Sequence, residues 1–470
     1  MIRRAAKYVL VAAVGCVVLF YVAFAALLTA SERQWLGKAP AHASIDVRSR
    51  EAHELALLDE GIDSLVTRVR LIEEAKKSID LEFFIYELDT TSRLVSQLLA
   101  RKAAEGVRVR ILVDFAAPVF KLRPAYAAAL RAKGIEVKYY NTASYLRFFS
   151  VQHRTHRKLL AVDGRSAIIG GRNIADDYFD VSERYNFLDC DVLVTGPVVA
   201  AMQESFELYW NSAWATDPES AVGDLGTAGN FLETRAPERA LDLLLRRSDN
   251  THFSTTCNDL HFVTDYPGSG VERRRVYGAL SDLAGEARTE ILLESPYFVL
   301  RGDGADLFRG ILGRGVRMQV LTNSLRSTDA FYTVAALLPT LGSLNRPGFK
   351  LWAYRGDPLP QGAAPAPRSR LWGVHAKRGV FDGRTSVIGT YNIDPRSANL
   401  NAEMILICRD NPALAAEMAR SIQERIAQST LITGGESAEG IKGLLRGADA
   451  AQVAKMAASL PLVRCFDFLL

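Results

Sequence analysis

Histidine and cysteine are scarce in this chain, seven and five among 470 residues. Cys16, Cys190, Cys257, Cys408 and Cys465 are scattered, with no CxxC pair and no metal-like spacing to histidine. That pattern speaks against a disulfide scaffold and against a structural zinc site, so the cysteines read as small buried hydrophobes. A surplus of one charge is also missing. Lys and Arg number 57 against 53 Asp and Glu, a net charge of +4. This falls short of the basic field of a nucleic-acid coat, although a mild excess suits an anionic membrane surface or a phosphate-bearing substrate. Low-complexity tracts are absent, and 49% hydrophobic with 23% charged residues is the composition of a folded protein. The length exceeds one ordinary core and predicts two domains.

One long apolar run exists. Tyr8 to Ala30 is 23 residues without a charge, preceded by Arg3, Arg4 and Lys7. At about 1.5 Å per residue it is long enough to cross a bilayer. The flanking cations would stay cytoplasmic and put the rest of the chain on the far, extracytoplasmic side of the membrane, predicting a single N-terminal anchor. A cleaved secretory signal would have a shorter apolar core, and the lipoprotein-like box ending at Cys16 lies inside a run that continues well past it.

Beyond residue 50 the chain repeats itself. KKSIDLEFFIY (76–86) reads as a strand, SRLVSQLLARKAAEG (92–106) as a helix and VRVRILVD (107–114) as a strand; RTEILLESPYF (288–298), ADLFRGILGRG (305–315) and VRMQVLTN (316–323) repeat that order. Then come HRKLLAVDGRSAIIGGRNI (156–174) and HAKRGVFDGRTSVIGTYNI (375–393), which share nine identities over 19 ungapped positions. A duplicated α/β unit follows, with two mixed-sheet halves as a pseudo-two-fold pair sharing one active site. The expected divisions are an anchor over 1–30, a first half over 50–215, a looser connecting region over 216–270, a second half over 271–430 and a helical tail over 431–470.

In H-x-K on a strand, alternation puts His156 with Lys158, and His375 with Lys377, on one face. Imidazole beside ammonium suits a phosphate. Seventeen residues after each His come Asn173 and Asn392, whose amides can donate to the same phosphate oxygens. Two such sets facing each other supply charge, position, a nucleophile and a proton donor, with no metal and no cofactor called for. Each imidazole needs a carboxylate to set its tautomer. Glu403 precedes a strand in the second half, and Asp189 holds the matching place in the first, with Asp191 the alternative. Asp163 and Asp382 stand before glycine and read as turn formers with a supporting role.

The two HxKxxxxD signatures, each followed by six residues and then GGRN or GTYN, resemble the phospholipase D superfamily from about residue 55 to 430. GGRNIADDYFD, FLDCDVLVTGPVV, LLESPYFV and GTYNIDPRSANLNAEM are similar to the bacterial cardiolipin synthase branch, its C-type members in particular. The resemblance implies a phosphohistidine intermediate with His156 as nucleophile and His375 as acid/base. It also implies transfer of a phosphatidyl group between membrane phospholipids such as phosphatidylglycerol or phosphatidylethanolamine. Two places depart from that branch: Leu300 stands after SPYFV where Pro is common, and TDAFYTVAALLPTLG replaces a His-Gly-Tyr-bearing helix.

A hydrolytic phospholipase D has the same site but uses water. A nucleic-acid phosphodiesterase would need a basic groove with stacking aromatics, which the small net charge does not favour, and no nucleic-acid partner is expected. An inert lipid-binding scaffold has no physical need for intact His, Lys and Asn in both halves. Arg172 and Tyr391 are candidate headgroup contacts, Tyr297 a candidate pocket residue, and Arg396 and Ser397 bracing. His153 reads as a neighbour of the motif, and His42, His53, His252 and His261 as incidental.

Overall fold

The computed structural model describes residues 45–115, 122–143, 147, 149–218, 252–268, 274–357 and 371–466, and parts of 14–30. Val and Ile dominate runs such as Arg108–Asp114, where every residue after the first is buried, as expected of central strands covered on both faces. Between Ser78–Phe83 and Arg108–Asp114 lies the helix Thr90–Ala104. Asp89 caps its start, accepting from the Ser92 amide while Ser92 reaches back to the Asp89 amide. The two flanking strands pair in parallel.

Two nine-stranded mixed sheets result. The first runs Ala215–Thr216, Glu136–Tyr140, Arg108–Asp114, Ser78–Phe83, Leu159–Val162, Ser166–Gly170, Asp191–Thr195, His53–Leu58, Phe253–Cys257. The second runs Ser429–Thr433, Phe349–Tyr354, Arg317–Asn323, Glu290–Glu294, Arg378–Phe381, Thr385–Gly389, Met404–Cys408, Leu260–Thr264, Asp46–Ser49. Position for position the order is the same, so the duplication read from the motifs extends to the whole sheet.

The halves are interlaced at one edge. Asp46–Ser49, at the start of the described chain, belongs to the second sheet, while Phe253–Cys257 belongs to the first. The segment expected as a loose connector thus supplies two strands, Phe253–Cys257 and Leu260–Thr264, one to each sheet. A continuous core draws on both sheets and on the helices Val198–Trp210 and Pro412–Ala427; Leu57, Ile169, Phe206, Leu406 and Met418 are among its members. Burial of a shared apolar core makes the two halves one packing unit. The tail begins as the strand Ser429–Thr433 and continues into helices Gly440–Leu445 and Ala450–Phe466.

The cysteine reading needs correction. Cys257 and Cys408 are disulfide-bonded, joining the last strand of the first sheet to Met404–Cys408 of the second. Their positions, 151 residues apart, share no sequence pattern and meet only because the strands interlace. Cys190 is buried and free. The anchor expected at Tyr8–Ala30 falls partly outside the described residues; among those described, no helix is long and apolar enough to cross a membrane.

The motif aspartates begin two equivalent turns. Asp163 and Asp382 adopt φ of 56° and 51°, a left-handed conformation that Asp tolerates better than most residues. The Asp163 carboxylate accepts the amides of Lys76, Lys77 and Ser78 at 2.7–2.9 Å. Asp382 accepts those of Arg288, Thr289 and Glu290 at 2.8–3.0 Å. Each thereby clamps the start of a central strand, and both carboxyls are held below their ordinary range by these amides, which outweigh partial burial. Asp163→Ala should lower unfolding free energy by about 1–3 kcal/mol, read by denaturant melts, while turnover per folded molecule changes little. A large loss of turnover in a normally stable Asp163→Ala protein would assign it to the chemistry instead.

Candidate active site

His156 and Lys158 lie in extended chain just ahead of the strand Leu159–Val162, and His375 and Lys377 lie between Leu371–Val374 and Arg378–Phe381. Neither H-x-K is inside a strand, because the sheet ladder starts one residue later. Each is instead paired with the opposite half. Leu371–Val374 runs parallel to Tyr185–Leu188, and the His375 amide donates to the Leu188 carbonyl at 2.8 Å. The His156 amide donates to the Ala402 carbonyl at 2.9 Å.

Those backbone bonds set the next contact. Asp189 follows Leu188, and its Oδ2 lies 2.6 Å from His375 Nδ1. Glu403 follows Ala402, and its oxygens lie 2.9 and 3.1 Å from His156 Nδ1. The carboxylates are therefore exchanged between halves. Glu403 is further held by Thr390 Oγ1 at 2.6 Å and Ser397 Oγ at 2.7 Å. Asp191 is not the orienting residue: it pairs with Arg68 and Arg172.

Lys158 Nζ donates to the His156 carbonyl at 2.7 Å, and Lys377 Nζ reaches the His375 ring at 2.9 Å. Asn173 Oδ1 accepts the Ile85 amide at 3.0 Å. Asn392 is buried, and its Oδ1 has no partner among the described residues. The ring of His156 meets the edge of Phe84, whereas His375 packs against Tyr178 and Phe187.

Burial governs the proton affinities. It lowers Lys158 to about 7, with the Lys377 charge adding to the effect, and lowers Lys377 to about 8. Burial and Lys377 bring His375 to about 4, and burial with both lysines holds His156 well below its ordinary value. The two imidazoles are thus neutral in the empty site. Their carboxylates differ: burial raises Glu403 to about 7 despite Lys158, whereas for Asp189 the opposing pull of His375, Lys377 and Arg172 outweighs burial and keeps the carboxyl ionised.

Arg172, a candidate headgroup contact in the sequence, has another place. It is buried, donating to the carbonyls of Leu58, Asp59, Tyr178 and Asp189. Tyr297 donates to Asp329 at 3.0 Å, and the Asp329 charge acts on His375 and Lys377. Asp329 escaped the motif reading because it has no duplicated counterpart; its signal was the Thr-Asp pair beyond Arg317–Asn323. Arg396 crosses to Gln152 of the first half at 2.8 Å. His153 lies edge-on to Trp214 outside the cluster, His53 accepts the Val198 amide, His252 meets Thr67, His261 meets Asp46, and His42 is outside the described residues.

Glu82 and Glu294, equivalent in the two halves, were also missed. Glu82 takes Arg157 at 3.0 Å, and Glu294 takes Arg378 and Arg425 at 2.6 and 2.7 Å. These buried pairs brace the strands behind each lysine.

These charges predict a bell-shaped pH profile of kcat/KM for an anionic diester. Above about pH 8 the ammoniums of Lys158 and Lys377 are lost. Below about pH 7 Glu403 gains a proton and can no longer accept one from His156. A rate that keeps rising towards pH 10 would contradict the assignment of the lysines to charge stabilisation.

Comparison with known proteins follows the same lines. A family profile described as "Cardiolipin synthase, PLD-like domain" matches residues 69–210 and 280–426, one segment per half. Cardiolipin synthase C of Escherichia coli K12 is 29% identical over 408 residues, covering 79% of this chain and 84% of its own. An uncharacterised protein of Helicobacter pylori 26695 is 31% identical over 405 residues, 79% of each chain. Among solved structures, phosphatidylserine synthase of Haemophilus influenzae Rd KW20 superposes with a TM-score of 0.65 at 14% identity, covering 88% of this chain and 95% of that one, a likeness of fold. With the duplicated signature, the duplicated sheet and a profile that spans both halves, the chain belongs to the phospholipase D-like family of cardiolipin synthases.

Proposed function

We propose that the protein is a membrane-anchored phosphatidyltransferase of cardiolipin synthase type, working through a phosphohistidine. The observation that carries this reading is the exchange of orienting carboxylates, Glu403 to His156 and Asp189 to His375, which supports one site drawn from both halves. The neutral His156 directs Nδ1 to Glu403 and leaves Nε2 to attack phosphorus. His375, backed by the ionised Asp189, suits the role of proton donor, because a fixed carboxylate stabilises the imidazolium. The arriving phosphate anion raises the proton affinity of His375, which takes up a proton from solvent, and the P–O bond to the departing headgroup breaks as His156 Nε2 bonds to phosphorus and the His375 imidazolium protonates that oxygen. An incoming lipid hydroxyl then gives its proton to His375 and attacks phosphorus, breaking the P–N bond and freeing His156. Lys158, Lys377, Asn173 and Asn392 hold the non-bridging oxygens.

A lipid substrate is supported by the relatives named cardiolipin synthase and by exposed Leu88 and Phe149 on loops and Tyr332 on the helix Phe331–Leu337. Anchoring rests on the uncharged run Tyr8–Ala30. The Cys257–Cys408 bridge supports an extracytoplasmic catalytic part, since disulfides persist in oxidising compartments.

Purified protein incubated with phosphatidylglycerol, with and without phosphatidylethanolamine, should yield cardiolipin by mass spectrometry. Phosphatidic acid as the sole product would show hydrolysis instead, and no turnover of either lipid would defeat both. His156→Ala and His375→Ala should each cost at least about 10³-fold in turnover, since a nucleophile and its proton donor act as a unit; an active single variant would refute the shared site. In cells alkylated before lysis, Cys257 and Cys408 should be recovered as a linked peptide pair. Recovery of both as free, alkylated thiols would count against the oxidising side.

A further inference from the structure

The duplicated sheets are covered unequally. In the first half, helices Gly61–Glu74 and Thr90–Ala104 bury eight residues each. Their counterparts in the second half, Arg275–Glu286 and Gly302–Gly313, bury two each. The space left between these helices and the sheet is a cavity of about 430 Å³, within the range of ligand pockets. Its wall is mainly apolar, from Leu293 at the catalytic end to Ile291, Met318 and Phe381 at the other. Lys377 and Tyr391, which flank the catalytic cluster, belong to the same wall. From Lys377 to Phe381 the strand covers roughly 13 Å, four steps of about 3.3 Å.

Apart from exposed Asp303, the charged groups in that wall have partners: Arg301 donates to the carbonyls of Leu300 and Ala336, and Lys377 reaches the His375 ring. Glu294 is taken by Arg378 and Arg425, and Asp394 accepts the Ser397 amide at 2.7 Å. A polar ligand would find few free partners there, whereas a hydrocarbon chain would find a dry surface leading from the phosphate site. We infer that this cavity takes one acyl chain of the phospholipid whose phosphate lies on Lys377, which makes the second half the lipid-gripping half. The inference rests on the proposed phospholipid substrate and adds where the tail goes. The first half, its helices closed on the sheet, offers no equivalent slot among the described residues.

Photo-crosslinking tests it without turnover. Full-length His375→Ala enzyme in detergent micelles is irradiated with phosphatidylglycerol carrying a diazirine at the end of one acyl chain, and the labelled peptides are mapped by mass spectrometry. The label should fall within residues 275–313. Ala284→Phe and Gly304→Leu, one on each covering helix, add bulk to the cavity lining; a Cβ at Gly304 meets nothing nearer than 4.0 Å. Each buried methylene is worth a factor of about four, so excluding two or more should reduce labelling at least about tenfold in either variant. Label confined to other peptides, or undiminished in both folded variants, overturns the inference. Absence of transfer by the wild-type enzyme would bear on the proposed reaction and leave this readout intact.

Discussion

Everything at the catalytic centre depends on two buried imidazole–carboxylate pairs that cross between the halves. His156 is oriented by Glu403 and His375 by Asp189, and each carboxylate is delivered by the backbone bond of the residue before it. Neither half alone contains a histidine with its orienting partner. The interlaced edge strands, the common core and the Cys257–Cys408 bridge all hold the halves at the separation this exchange requires. A small slip between them would leave both imidazoles and both carboxylates buried without partners, which is expensive in a dry interior.

Desolvation also sets the reactivity. Burial lowers the proton affinity of both lysines, and the charge of Lys377 lowers that of Lys158 further. Duplication gives near-identical lists of side chains, yet the two histidines are not chemically equivalent. Asp189 lies beside His375, Lys377 and the Arg172 charge and stays ionised, whereas Glu403, held by two hydroxyls, is raised to about 7. That inequality gives the two imidazoles different electrostatic surroundings.

The halves have diverged in their packing as well. The first closes its helices on the sheet with Leu65, Val69, Leu94 and Leu98. The second leaves a cavity beside Lys377. Chemistry needs symmetry only around the phosphorus; a lipid with one reacting phosphate and two tails does not.

Much of this was legible in the chain. Recurrence of His, Lys, Asp, Asn and Gly at equal spacing identified the candidate groups of the site, since each spacing reflects a local strand, turn and bend. Asp163 and Asp382 were legible as turn residues for the same local reason. What the sequence could not carry was every relation between residues far apart. That each carboxylate serves the other half's histidine, that Arg172 locks the loop beneath Asp189, that Cys257 meets Cys408, and that the presumed connector supplies a strand to each sheet all depend on how the halves dock. By itself the sequence determined the reactive groups and their duplication, because those follow from local geometry. Only the tertiary structure decided their partners and protonation, because those depend on burial and on charges brought together across the interface.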